Sequence, residues 1–187
     1  MIRKENTQKL ARLGMLAALS IVLIVLVRIP WPAAPFLVYD PADVPILIAT
    51  FLYGPWWGVA VTAAVSLIQA FALAGDGIIG GVMHLAATGA FCIAAGGIYW
   101  HGRGKNKSIT RALVGLIVGS LVMTTVMAGC NLILTPIFMQ TDRATVVAML
   151  VPTIIPFNLV KSGVNSVITF FVYKPVHRLF DRIGSKG

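Results

Sequence analysis

Lys161 is the only Lys, Arg, Asp or Glu in the apolar run from Pro152 to Tyr173. A basic side chain near the middle of a membrane helix costs about 2.5–3.5 kcal/mol on insertion scales, so its presence points to a purpose. Asn158, Ser162 and Asn165 lie three or four residues from Lys161 or from one another, giving one helix face a polar stripe. An Asn amide donates and accepts hydrogen bonds at once, and a lysine ammonium donates three, a set suited to the carbonyl and N–H edge of a small heterocycle. Lys161 precedes Tyr173 by twelve residues, which is about 18 Å of helix and places it in the outer half of the run. Asn131 falls at the outer end of another apolar run, Gln69 in the outer half of a third beside Thr62 and Ser66, and His84 two turns into a fourth. A segment carrying Trp31, Phe36 and Tyr39 is available to cover them. Each group alone also fits a plainer role: amides as links between helices, His84 as a packing histidine, the aromatics as an interfacial belt, Lys161 snorkelling outward. Their convergence at one end of several helices is the pattern of a small-molecule site.

Catalysis is not indicated. There is no His-Glu-x-x-His, no Gly-x-Ser-x-Gly and no paired-carboxylate motif, and no acid lies deep in a helix to act as base beside Lys161. No cofactor and no metal site are expected, because Cys92 and Cys130 have no metal-type spacing and sit inside apolar runs as packing residues. A self-sufficient ion-coupled transporter would call for buried acids and internal repeats, neither of which is evident. No phosphate-binding loop is present, so any ATP-driven step needs another chain.

The elements that must position these groups are membrane helices. Of the 187 residues 58% are hydrophobic and 11% charged, against about 25% charged in soluble domains. The net charge of +9 would suit nucleic acid, but its distribution argues for a bilayer. Twelve of the 15 basic residues fall in three clusters flanking apolar runs: Arg3, Lys4, Lys9 and Arg12; Arg103, Lys105, Lys107 and Arg111; Lys174, Arg178, Arg182 and Lys186. That is the positive-inside pattern, with some attraction to anionic lipid. Asp40, Asp43, Asp76 and Asp142 lie in the other connections. The expected fold is an all-α membrane protein: a single domain over 1–187 with six transmembrane helices at about 10–28, 44–53, 56–74, 78–100, 111–134 and 152–173, and cytoplasmic N- and C-termini. The second helix is short because Gly54-Pro55 breaks an uncharged run from Val44 to Gly75. Pro30, Pro32 and Pro35 keep the preceding segment out of a regular helix. Pro136 is expected to stop the fifth helix, and Pro156 to interrupt or kink the sixth. Gly75-Asp76-Gly77 reads as a turn, and 145–150 as a further short helix.

Three segments of the chain then carry a resemblance: Val38-Tyr39-Asp40-Pro41-Ala42-Asp43-Val44-Pro45, Phe51-Leu52-Tyr53-Gly54-Pro55 and, most specifically, Ile155-Pro156-Phe157-Asn158-Leu159-Val160-Lys161-Ser162-Gly163. In order and spacing, over about residues 10–178, the chain resembles the riboflavin-specific substrate-binding (S) components of energy-coupling factor (ECF) vitamin importers. The resemblance implies a non-enzymatic protein of the bacterial cell membrane that captures riboflavin from outside. Its implied partners are a transmembrane coupling protein and two cytoplasmic ATPases. It implies flavin contacts from Asn158, Lys161 and Asn131, with Gln69, His84, Tyr39 and Asp40 completing the candidate set. It also implies docking of the coupling protein on Gly14-x-x-x-Ala18 of the first helix, where small residues four apart allow close helix approach; packing within the protein is the alternative. The chain departs from the family where many members carry Lys-Asn, here Val65-Ser66, and where an Asn is expected, here His84. Another vitamin therefore stays open as the ligand.

Overall fold

The computed structural model describes residues 2–72, 77–101 and 108–185. Gly75 and Asp76 of the expected turn, and Arg103, Lys105, Lys107 and Lys186 of the basic clusters, lie outside the described residues. The described chain runs α1 (Ile2–Leu26), β1 (Ile29–Trp31), β2 (Ala34–Tyr39), α2 (Asp43–Tyr53), α3 (Pro55–Ala72), α4 (Gly77–Trp100), α5 (Ile109–Met139), α6 (Arg143–Met149), a π-helical turn (Leu150–Ile154) and α7 (Ile155–Ser185). Among the described residues five helical stretches are long and apolar enough to cross a bilayer, the last being α6 through α7. The short α2 is the sixth helix of an all-α membrane fold.

The 11 residues of α2 span about 16 Å, half a hydrocarbon core. Such a helix persists in a membrane protein only by being enclosed, and the run from Asp43 to Phe51 is buried throughout. Its depth follows from its neighbours. At its start Asp43 meets Thr88, eleven residues into α4. At its end Phe51 packs on Tyr99 and the Thr50 carbonyl accepts from the Trp100 indole. Thus α2 fills the inner half of the bundle, and the outer half above it is left to the segment that precedes it. That proline-rich segment forms an antiparallel hairpin of β1 and β2, irregular between Pro30 and Trp31. Ala34 and Leu37 bury against Val146, Ile154 and Phe157. Gly54, at φ +106°, ends α2 in a conformation that favours glycine, and Pro55 opens α3 where a missing N–H costs nothing.

The large helices pack through small residues. A Cβ on Gly81 would sit 2.7 Å from Ala70 across the α3–α4 contact, and one on Gly115 would sit 2.8 Å from the Ala95 carbonyl across α4–α5. One turn on, a Cβ on Gly119 would run into the Phe91 ring. Such positions let helices approach where lipid supplies little hydrophobic drive. At the inner end Lys9 lies 4.0 Å over the Trp57 ring, and Arg12 donates to the Phe180 carbonyl at 2.7 Å, tying α1 to the lower part of α7.

Several boundaries differ from the sequence expectation; the first helix already begins at Ile2 rather than near Leu10. The fifth helix does not stop at Pro136 but continues to Met139 and closes at Gln140, whose backbone is left-handed and whose N–H bonds the Pro136 carbonyl. A proline one turn from a helix end removes a single bond and is tolerated there. The last helix is not kinked at Pro156, which sits in the first turn of α7. The irregularity comes just before it, in the wide turn containing Pro152, where the missing donor fits a broken ladder. Nor does this helix end near Tyr173; it continues through Pro175 to Ser185. The short helix expected at 145–150 is α6, capped by Asp142, whose carboxylate accepts from the Thr145 N–H at 3.2 Å and from its hydroxyl.

This topology puts Asp142 outside and Ser108 inside. In a background lacking Cys92 and Cys130, Asp142→Cys should react with a membrane-impermeant maleimide in intact cells, and Ser108→Cys only after permeabilisation. External labelling at Ser108 would overturn the arrangement.

Candidate functional site

Over the start of α2, between the hairpin and the outer halves of α1, α3, α4, α5 and α7, lies a cleft of about 920 Å³, its mouth included. Of the residues singled out from the sequence, Asn131, Asn158, Lys161, Gln69, His84 and Asp40 all line it. Four helices and the turn after the hairpin thereby present polar groups to one space.

Lys161 reaches across to the Asp40 carboxylate at 2.7 Å. No acid is expected deep in a helix beside this lysine, and Asp40 is in none; it reaches Lys161 from the connection before α2. Asp40 and Asp43 were placed in an external connection on charge alone, but that connection folds down into the bundle. Asp40 is set by its own turn: its Oδ1 accepts from Ala42 N–H at 3.1 Å, and Val44 N–H bonds the Pro41 carbonyl at 3.1 Å. Asp43 is fully buried at the first turn of α2, where the helix dipole favours an anion. Its carboxylate accepts from Thr88 Oγ1 at 2.8 Å and from Asn165 Nδ2 at 2.9 Å.

His84 Nε2 lies 3.4 Å from Asp43 Oδ1, and its Nδ1 lies 3.2 Å from Ser66 Oγ. With Nε2–H facing the carboxylate, Nδ1 accepts from the serine hydroxyl. Both ring nitrogens are thus engaged, so the imidazole offers the cleft its face and C–H edge. Ser66 and His84, two positions where the resemblance implies other residues, are bonded to each other. Tyr39 does not line the cleft; its hydroxyl donates to Asn165 Oδ1 at 3.1 Å, beneath the Lys161–Asp40 pair. Trp31 is likewise outside the wall and packs edge-on against Phe157 with centroids 5.6 Å apart.

The amides that face the cleft keep hydrogen-bonding capacity. Asn131 donates to the Met127 carbonyl and accepts from Thr135, each at 2.8 Å, leaving its second N–H and a lone pair. Asn158 donates to the Ile154 carbonyl at 2.8 Å, and its Oδ1 is buried with no partner among the described residues. Leaving such an acceptor unsatisfied costs about 1–3 kcal/mol.

Sequence reasoning missed the apolar wall and one cation. Met123 and Met127 line the cleft with Asn131 and Thr135, and their spacing of four along α5 was a readable signal for a shared face. Ile24 from α1 and Arg28 just beyond its end also line the cleft. Arg28 gave no such signal, being placed at the end of the first helix by its charge. Among the described residues no group of three or more His, Cys, Asp or Glu could hold a metal ion.

Comparison with known proteins agrees with this architecture. Residues 8–173 match the family model described as ECF transporter, substrate-specific component. The chain is 33% identical to riboflavin transporter RibU of Staphylococcus aureus (strain TCH60), covering 97% of this chain and 98% of that protein. It is 29% identical to riboflavin transporter FmnP of Bacillus subtilis (strain 168), covering 90% and 91%. A solved structure of the S component of a bacterial ECF transporter superposes with a TM-score of 0.78 at 29% identity, covering 93% of this chain and 98% of that one. With a match over nearly its whole length and a cleft where such a protein would take its cargo, this chain belongs to the family of ECF transporter substrate-specific components.

Proposed function

We propose that the cleft captures riboflavin from the outer side of the bacterial plasma membrane and that the chain delivers it as the substrate-binding subunit of an ATP-driven importer. The observation that carries this is the buried, unpartnered Oδ1 of Asn158 in the cleft wall, one helical turn from the Lys161–Asp40 pair. The pyrimidine edge of an isoalloxazine alternates carbonyl, imide N–H and carbonyl. Asn158 Oδ1 can accept from the imide N–H, while Lys161 and the spare N–H of Asn131 donate to the flanking carbonyls. Met123, Met127 and Phe157 supply the polarizable surface a flat ring system packs against. The names of the similar proteins, both riboflavin transporters, support the same ligand. The Ser66–His84 pair favours one further possibility, a different heteroaromatic vitamin, because it replaces polar groups that many family members carry there.

Energy must come from partner chains, a membrane coupling protein and two ATPases, and the first helix has a face to meet the former. Gly14 and Ala18 are exposed, and a Cβ on Gly14 would meet nothing within 4 Å, unlike the tightly packed Gly81, Gly115 and Gly119. The stripe therefore turns away from the protein's own helices, which favours docking over internal packing.

Two outcomes follow. Asn158→Ala and Lys161→Ala should each weaken riboflavin binding about 5- to 150-fold, equivalent to about 1–3 kcal/mol, read by quenching of flavin fluorescence. Unchanged affinity in both would remove the site assignment. Gly14→Trp or Ala18→Trp should abolish riboflavin uptake and co-purification with the coupling protein, yet leave binding within about threefold, or about 0.7 kcal/mol. Loss of binding together with uptake would assign this face to the protein's own core.

A further inference from the structure

The polar wall of the cleft depends on a residue that does not line it. We propose that Asp43 is the positioning residue of the binding site: its buried carboxylate holds His84 in the wall directly, and holds Asp40 and Lys161 through Asn165. This rests on the assignment of Lys161 as a ligand contact.

Asp43 joins three helices at one point. On α4 it faces His84 Nε2 at 3.4 Å and Thr88 Oγ1 at 2.8 Å. On α7 it accepts from Asn165 Nδ2 at 2.9 Å, and it stands itself at the start of α2. The same Asn165 Nδ2 lies 3.2 Å from the Asp40 carbonyl, and Asp40 Oδ2 holds Lys161 at 2.7 Å. The chain of contacts is therefore Ser66, His84, Asp43, Asn165, Asp40, Lys161, running under the cleft from α3 to α7 and surfacing at His84, Asp40 and Lys161.

A carboxylate is a costly choice at a fully buried position, and a packed apolar residue would serve stability as well or better. What an apolar residue could not do is select orientations. The acceptor-only carboxylate obliges His84 to turn its Nε2–H inward, and obliges Asn165 to point its amide nitrogen toward Asp43 and its oxygen toward Tyr39. That orientation of Asn165 is the one that can also donate to the Asp40 carbonyl. If Asp43 were neutral and able to donate, both neighbours could flip and the Asp40 turn would lose its tether.

The test uses the full chain in detergent, with riboflavin binding read by fluorescence quenching and ligand-free melting read alongside. Asp43→Asn keeps shape and should weaken binding about tenfold or more without a matching loss of thermal stability. In a Lys161→Ala background the same substitution should cost at most about threefold, because the charged group it positions is gone and only its hold on His84 remains. Wild-type affinity in Asp43→Asn, or its full loss repeated without Lys161, would overturn the proposal. Thr88→Val removes one donor to the carboxylate with little change of shape. Should Asp43→Asn fail to fold, Thr88→Val decides: binding weakened at least threefold supports the role, and unchanged binding overturns it. Wild-type affinity in Lys161→Ala would count against the site assignment itself, whereas a weakened Lys161→Ala beside an unaffected Asp43→Asn would count against Asp43 alone.

Discussion

A lysine deep in an apolar bundle must find an anion, and the fold is organised around the one that Lys161 finds. Breaking a buried pair by removing one partner costs about 3–5 kcal/mol, because the remaining charge is left uncompensated. Asp40 sits 121 positions away in the chain, and to bring it within 2.7 Å of Lys161 Nζ the connection after α1 must descend into the bundle. The β1–β2 hairpin is the descending element. Its strands satisfy part of their backbone polarity against each other, a requirement for non-helical chain at membrane depth. Once the chain has descended, only half a membrane thickness remains to be crossed, and an 11-residue α2 is sufficient. The short helix, the hairpin and the cleft meet at this ion pair.

This explains which parts of the structure were legible in the sequence. Hydropathy located the apolar stretches because the bilayer imposes length and composition on each of them separately. The site amides were legible for the same reason: Asn131, Asn158 and Lys161 are conspicuous against Leu, Ile and Val. The burial of Asp40 and Asp43 was not legible because a linear profile assigns every acid beside prolines to solvent. Only a partner far away in sequence, Lys161 or His84, can justify its burial. The hairpin was equally hidden, since Pro30, Pro32 and Pro35 exclude helix without specifying strand. Pro136 misled in the other direction. A proline near a helix end forfeits one bond, and neighbouring packing decides whether the helix continues; the Arg12 contact to the Phe180 carbonyl helps hold the continued α7.

Small residues divide the surface into faces that are used inside the chain and faces that are not. Gly81, Gly115 and Gly119 have neighbours where a Cβ would be, whereas Gly14 and Gly163 have nothing within 4 Å. By spacing alone, Gly14-x-x-x-Ala18 and Gly115-x-x-x-Gly119 are the same motif; only the second is filled by the protein's own helices. A sequence therefore reports where helices can approach closely, but not whether the approaching helix belongs to the same chain.

The electrostatics of the cleft set limits on how it can choose a ligand. Asp40 cancels the charge of Lys161 locally, so the lysine contributes directional donors more than net attraction. Selection then falls to geometry: an acceptor on Asn158 that lacks a partner among the described residues, a spare donor on Asn131, and an apolar wall with methionines that adjust to a ring. A ligand with the wrong edge fails twice, because it leaves its own polar groups unpaired and the Asn158 oxygen unpaired as well. Unmade hydrogen bonds of this kind discriminate far more strongly than a missing methylene does. The discrimination holds only while the donors and acceptors stay oriented, and orientation is what the buried contacts of Asp43 with His84, Thr88 and Asn165 supply. Specificity in this cleft is thus built one layer below the surface that the ligand touches.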